Sequence, residues 1–64
     1  MIVTEVSIFR RGKDEPITLL VPDGYFPPAP FNGAWAVVDL SGVSYQFNWD
    51  TIEYVVAKRT ESRV

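Results

Sequence analysis

The sequence contains no cysteine and no histidine. That excludes a disulfide framework and any zinc site built from thiolates and imidazoles, the two devices with which small domains most often supplement a thin core. It also removes the commonest nucleophiles and general bases, because a triad or acid–base pair needs His, Cys or a serine with an activating partner. No serine lies in a nucleophile-elbow context, and neither a glycine-rich phosphate loop nor the spacing of a calcium loop occurs. The carboxylates Glu5, Asp23, Asp39, Asp50 and Glu53 stand singly, and the adjacent Asp14-Glu15 suits a solvated turn. A chain of 64 residues leaves little room for a closed pocket of the size ligand sites need. The expectation is a protein that is not an enzyme and takes no cofactor, no metal and no small-molecule substrate.

Long hydrophobic runs are missing as well. Nothing approaches a membrane span, and the opening MIVTEVSIFRR lacks the basic segment and apolar block of a signal peptide. No membrane partner is expected, and the chain reads as soluble and cytoplasmic, with the lack of cysteine fitting a reducing compartment. Charge of one sign is scarce too. A formal net charge of −2 is neither a basic nucleic-acid binder's balance nor the dense acidity of a nucleic-acid mimic.

What the chain does have is apolar and aromatic material. Hydrophobic residues make up 47%, including two Trp, three Tyr and four Phe. Residues 1–64 form one small domain whose stability must come from packing these groups, or from self-association. Residues 2–10 alternate, with Ile2, Thr4, Val6 and Ile8 on one side and Val3, Glu5, Ser7 and Phe9 on the other, which predicts a strand with one buried face. The stretch RRGKDEP breaks it, and residues 17–21 return as a second strand. Residues 22–33, PDGYFPPAPFNG, form a proline-rich loop that is unusually apolar.

Ser41-Gly42 suits a two-residue hairpin turn joining strands near 34–40 and 43–48. That register sets Leu40 against Val43, Val38 against Tyr45, Ala36 against Phe47 and Ala34 against Trp49, small residues facing large ones. The other face is then polar except for Trp35 and Val37, whereas Phe47 and Trp49 read as core. Residues 52–58 predict a last strand, because the β-branched and aromatic run Thr51, Ile52, Tyr54, Val55, Val56 suits a pleated surface. In such a strand Ile52, Tyr54 and Val56 share a face. The alternative is an α+β protein with a C-terminal helix over 51–62, capped by Asp50 with Glu53 completing a capping box. The tail, residues 60–64, is expected to fray.

The fold class is therefore all-β, a small five-stranded open barrel or twisted antiparallel sheet. The order of hairpin, long apolar loop, hairpin and a last strand after a tight turn resembles the layout of Src-homology (SH3-like) barrels, which also carry a short turn before the final strand. The alternating first strand and the ending FNWDTIEYV are similar to short β proteins of bacteriophages and prophages. That likeness implies no particular activity.

The functional candidates are aromatic. Tyr25, Phe26 and Phe31 sit on a backbone stiffened by Pro27, Pro28 and Pro30, which lowers the entropy lost on docking and supplies anchor area. Pro27 and Pro30 have PxxP spacing, a pattern also frequent by chance. Trp35 and Val37 form a second patch, either covered by the loop or last strand or exposed to a partner. These residues point to a protein-interaction module that binds a protein partner or a second copy as a homodimer. The equally bland reading is that the loop plugs the barrel and its aromatics are core. A different class is single-stranded nucleic-acid binding, with Trp35 as a stacking platform and Arg10, Arg11, Lys13, Lys58, Arg59 and Arg63 as phosphate contacts. Asp14, Glu15 and Glu61 offset both basic clusters. A third is a structural accessory subunit of a larger assembly, such as a phage particle, stable only when docked.

Overall fold

A computed structural model describes residues 1–25 and 27–61, so Phe26, Arg63 and the end of the expected tail lie outside the described residues. Its strands are β1 (Ile2–Arg10), β2 (Ile17–Pro22), β3 (Ala34–Val38), β4 (Ser44–Asn48) and β5 (Ile52–Glu61). All-β architecture holds, in two antiparallel sheets rather than a closed barrel: β2-β1-β5 and β3-β4. The first strand is central, with Val6 opposite Leu19 on one side and Ala57 on the other. Its alternation does what it predicts on the inner face, where Val6 and Ile8 are buried. Val3, on the opposite face between Pro22 and Thr60, is buried too.

The region read as strand or helix is a strand preceded by a single 3₁₀ turn, Trp49–Thr51. The turn is capped by Asn48, not Asp50: its Oδ1 accepts from Asp50 N at 3.1 Å, and Thr51 Oγ1 donates to its carbonyl at 2.7 Å. Crowded β-branched side chains then favour extension over further helix. β5 continues past 58 through Glu61 and takes in the first two residues of the expected tail. Ile52, Tyr54 and Val56 do not share a face. Phe9 pairs with Tyr54 but Arg10 with Ile52, so a bulge at Glu53 turns Ile52 into the core and leaves Tyr54 outside, stacked on Phe9 at 4.4 Å.

The second hairpin departs from the expected register by one residue. Trp35 faces Phe47 and Val37 faces Tyr45, while Ala34, Ala36 and Val38 face Asn48, Gln46 and Ser44. The cause is the turn. A two-residue Ser41-Gly42 turn needs positive φ at Ser41, yet only Gly42 adopts it, at 82°. The chain instead forms a three-residue loop closed by Asp39 N to Val43 O at 3.0 Å and Gly42 N to Asp39 O at 3.1 Å. The Asp39 carboxylate accepts from Ser41 N at 2.8 Å and Val43 N at 3.0 Å, holding the loop from within. The two-residue turn of this protein lies elsewhere. Asn32 and Gly33, at φ 51° and 76°, join Phe31 and Ala34, which exchange two backbone bonds of 2.8 and 2.9 Å. An Asn-Gly pair is the residue choice a type I′ turn demands.

The slip exchanges the faces of β3 while Tyr45 and Phe47 of β4 stay on the core side, so Trp35 and Val37 are core residues and not an apolar patch on a polar face. Val37 is fully buried, and both join Val6, Ile8, Leu19, Val21 and Ile52 between the sheets. Trp35 contacts Phe47 at a ring distance of 5.9 Å and Trp49 edge-on at 5.5 Å. Phe47 is half-buried, but Trp49, read as core, is 40% exposed because its 3₁₀ turn lifts it out of the strand. One backbone bond, Leu40 N to Leu20 O at 2.9 Å, links the two sheets directly.

Asp39 also governs a titration. Hydrogen bonding to its carboxylate, and then its charge, hold the Tyr45 phenol above the ordinary 10.0. A pKa raised in the folded state contributes stability that is present below pH 10 and lost as pH rises past it. Asp39→Asn keeps an acceptor for the two amides and removes the charge. It should leave the melting temperature nearly unchanged and lower the Tyr45 midpoint in an NMR titration. Asp39→Ala should cost about 1–3 kcal/mol in urea unfolding, since two amides lose their partner.

Candidate functional site

The two-stranded sheet covers β2, β1 and, at Ile52, the start of β5, but does not extend over the rest of β5. On the inner face of β5, Val55 is half-buried and Ala57 exposed, whereas Leu19 and Val21 on β2 are buried. The uncovered strip is the floor of an open, mainly apolar cleft of about 550 Å³. Thr4 and Val6 of β1 with Val55 and Ala57 of β5 form the floor, Trp35 closes the inner end, and Gly24, Tyr25 and Pro27 form the far wall. Lys58, Arg59 and Asp23 stand at the rim. Arg59 and Asp23 meet fork to fork, Nε to Oδ1 at 2.9 Å and Nη2 to Oδ2 at 3.2 Å, tying β5 to the corner after β2. Room for such a site was not expected in a domain this small. It exists because one sheet is narrower than the other.

The proline loop is hitched to the second hairpin at three points. The Tyr25 hydroxyl accepts from Val38 N at 3.4 Å, Trp35 Nε1 donates to the Pro28 carbonyl at 3.1 Å, and Phe31 pairs with Ala34. A buried indole N–H needs a partner, so the tryptophan that fills the core also fixes the loop. Of the sequence candidates, Tyr25, Pro27 and Trp35 converge on the cleft. Pro28 and Pro30 are exposed beside it, Phe31 projects into solvent at 77% exposure, and Val37 lies beneath in the core. Phe26 is outside the described residues. The cleft residues that sequence reasoning missed are Thr4, Val6, Asp23, Gly24, Val55 and Ala57. Only the alternation of β1 and β5 hinted at a shared face, and nothing local says that this face stays uncovered.

The basic candidates do not form one surface. Arg10 pairs with Ile52 at one end of the three-stranded sheet, and Arg59 pairs with Thr4 near the other, about 20 Å away at the rise of a strand. Arg11 and Lys13 are exposed in the first turn, Arg10 is half-buried with its Nε enclosed and unbonded, and Arg59 is engaged by Asp23. Trp35 offers no open ring for a base, because the register and the loop cover it. Among the described residues, no three His, Cys, Asp or Glu residues cluster to hold a metal ion, and no helix is long and apolar enough to cross a membrane.

No family model, no curated protein and no solved structure matches the chain. The site therefore has to be read from its own geometry.

Trp35→Phe keeps an aromatic ring in the core and removes the donor to Pro28. We expect a loss of about 1 kcal/mol in stability and faster chymotryptic cleavage at Phe31 under native conditions. Unchanged cleavage would mean that this bond does not hold the loop.

Proposed function

We infer that the protein is a non-catalytic protein-interaction module whose cleft takes an extended, apolar segment of a protein partner. The observation that carries this reading is the cleft itself, an apolar floor walled by Tyr25, Pro27 and Trp35 and rimmed by charge. Interface hot spots are aromatic anchors in desolvated pockets surrounded by a polar rim, and this cleft supplies such a pocket on the module's side. Its far wall is already restrained by proline and by the Tyr25 and Trp35 bonds, so little ordering is left for binding to bring about. The layout is that of an SH3-like open barrel. In support, a 3₁₀ turn directly precedes the last strand, and the Leu40–Leu20 bond joins the sheets where such a barrel would pass from β2 to β3. Nucleic-acid binding has no comparable support, with Trp35 covered and the basic clusters apart.

The test is selection of peptides from a displayed random library, with binding measured by fluorescence polarisation. Ala57→Trp fills the floor from an exposed position and should abolish binding. Tyr25→Ala should weaken it about tenfold, the usual scale for losing one anchor. NMR shifts on binding should centre on Thr4, Tyr25 and Ala57. Enrichment of no peptide, or equal binding to folded Ala57→Trp, would rule the cleft out.

A further inference from the structure

β5 is an edge strand of ten residues, bonded to β1 on one side and, among the described residues, to no strand on the other. Which of its backbone groups are unpaired follows from the sheet. Leu20 O accepts from Leu40 N, so Leu20 and its alternate neighbours Thr18 and Pro22 turn their groups away from β1. Pro22, which has no N–H to give, fits that position. Antiparallel pairing alternates, so Thr4, Val6 and Ile8 address β2, while Val3, Glu5, Ser7 and Phe9 address β5. Their partners Thr60, Lys58, Val56 and Tyr54 point back at β1. Val55, Ala57 and Arg59 therefore present their N–H and C=O groups outward along a free edge. No proline interrupts that edge, and its bulge lies at its beginning, at Glu53, so the stretch from Tyr54 onward is regular and Glu53 is the last residue that could pair in register.

We propose that this edge pairs with the β5 edge of a second copy, antiparallel about a two-fold axis at Val56, giving a continuous six-stranded sheet. The charge pattern selects the partner and the register. The two-fold pairings that overlap most of β5 are those centred on Val55, Val56, Ala57 or Lys58. Centring on Lys58 sets that lysine against itself, and centring on Ala57 sets Glu53 against Glu61 at both ends. Centring on Val55 leaves Arg59 and Glu61 beyond the shared ladder. Centring on Val56 places Glu53 opposite Arg59, Tyr54 opposite Lys58 and Val55 opposite Ala57, each twice, with the two Val56 residues at the middle. These pairs are opposite in charge, cation on aromatic, or apolar on apolar, and only Ile52 opposite Thr60, beyond the bulge, is mixed. Val56 and Tyr54, 47% and 51% exposed on the single chain, gain neighbours on the outer face. The inner faces join as well, laying the floors of the two clefts side by side. The pairing is made through the backbone edge of β5 and the cleft through its inner face; Val55, Ala57 and Arg59 belong to both, and Arg59, which holds Asp23 in the single chain, would take Glu53 of the second copy as a further partner.

Sedimentation equilibrium over roughly 10 µM to 1 mM should show a monomer–dimer equilibrium, because association follows mass action. Over the same range the Val55 and Ala57 amides should become slower to exchange in NMR. Ala57→Pro removes an outward N–H that the single chain does not use. It should remain folded by circular dichroism and sediment as a monomer. Glu53→Arg and Arg59→Glu, read with the same spectroscopic control, should each weaken the dimer about tenfold through like charges directly opposite, and the double exchange should restore it. Ala57→Trp, which retains its N–H, should still dimerise while its cleft is filled, separating failure of this proposal from failure of the cleft. A monomer throughout the range, a dimer unaffected in folded Ala57→Pro, or a double exchange that does not recover would overturn the pairing.

Discussion

The carboxylate of Asp39 sits at the head of the chain of dependencies in this structure. By accepting from the amides of Ser41 and Val43 it stabilises a three-residue loop, with Gly42 taking the one positive φ that the loop needs. A strand register admits only two outcomes for its side chains, and moving it by one residue exchanges them all. The loop thus sends Trp35 and Val37 inward and Ala34, Ala36 and Val38 outward. Once Trp35 is inside, its indole N–H must be satisfied, and the Pro28 carbonyl does so. The position of the proline loop, and with it the wall of the cleft, follows from a turn at the far end of the hairpin.

The other governing feature is the central place of β1. Pairing the first strand with both the second and the last brings distant residues together, Asp23 with Arg59 and Thr4 with Ala57 among them. A two-stranded sheet cannot cover a three-stranded one. The β3–β4 hairpin and its Leu40–Leu20 bond lie over β2, so the uncovered strip falls on β5. The open cleft and the unpaired edge are two consequences of this mismatch, and both leave surface that another chain could bury.

The same arrangement explains what the surface is not suited to. The two basic clusters of the sequence stand at opposite ends of the sheet, and Arg59 is matched by Asp23. The large aromatics fill the core, brace one another or project singly. Tyr54 on Phe9 and Trp49 against Trp35 are neighbours made by the fold, joining residues that the sequence keeps apart.

The five strands were legible because period-two alternation and β-branched runs are local signals, and β1 and β5 carry both. So was the absence of His and Cys chemistry, which is a matter of composition alone. The apolar character of residues 22–33 was legible too, and Tyr25 and Pro27 do stand at the cleft. The register of the second hairpin was not, because it turned on a side-chain carboxylate competing for backbone amides against a turn that would have strained Ser41. The face of Tyr54 was not, because a one-residue bulge at Glu53 reversed the alternation that made the strand readable. The cleft was decided by tertiary structure alone. Each of its residues is ordinary for a strand or a loop, and what makes them a site is the difference in width between two sheets, a property that no single segment of the chain contains.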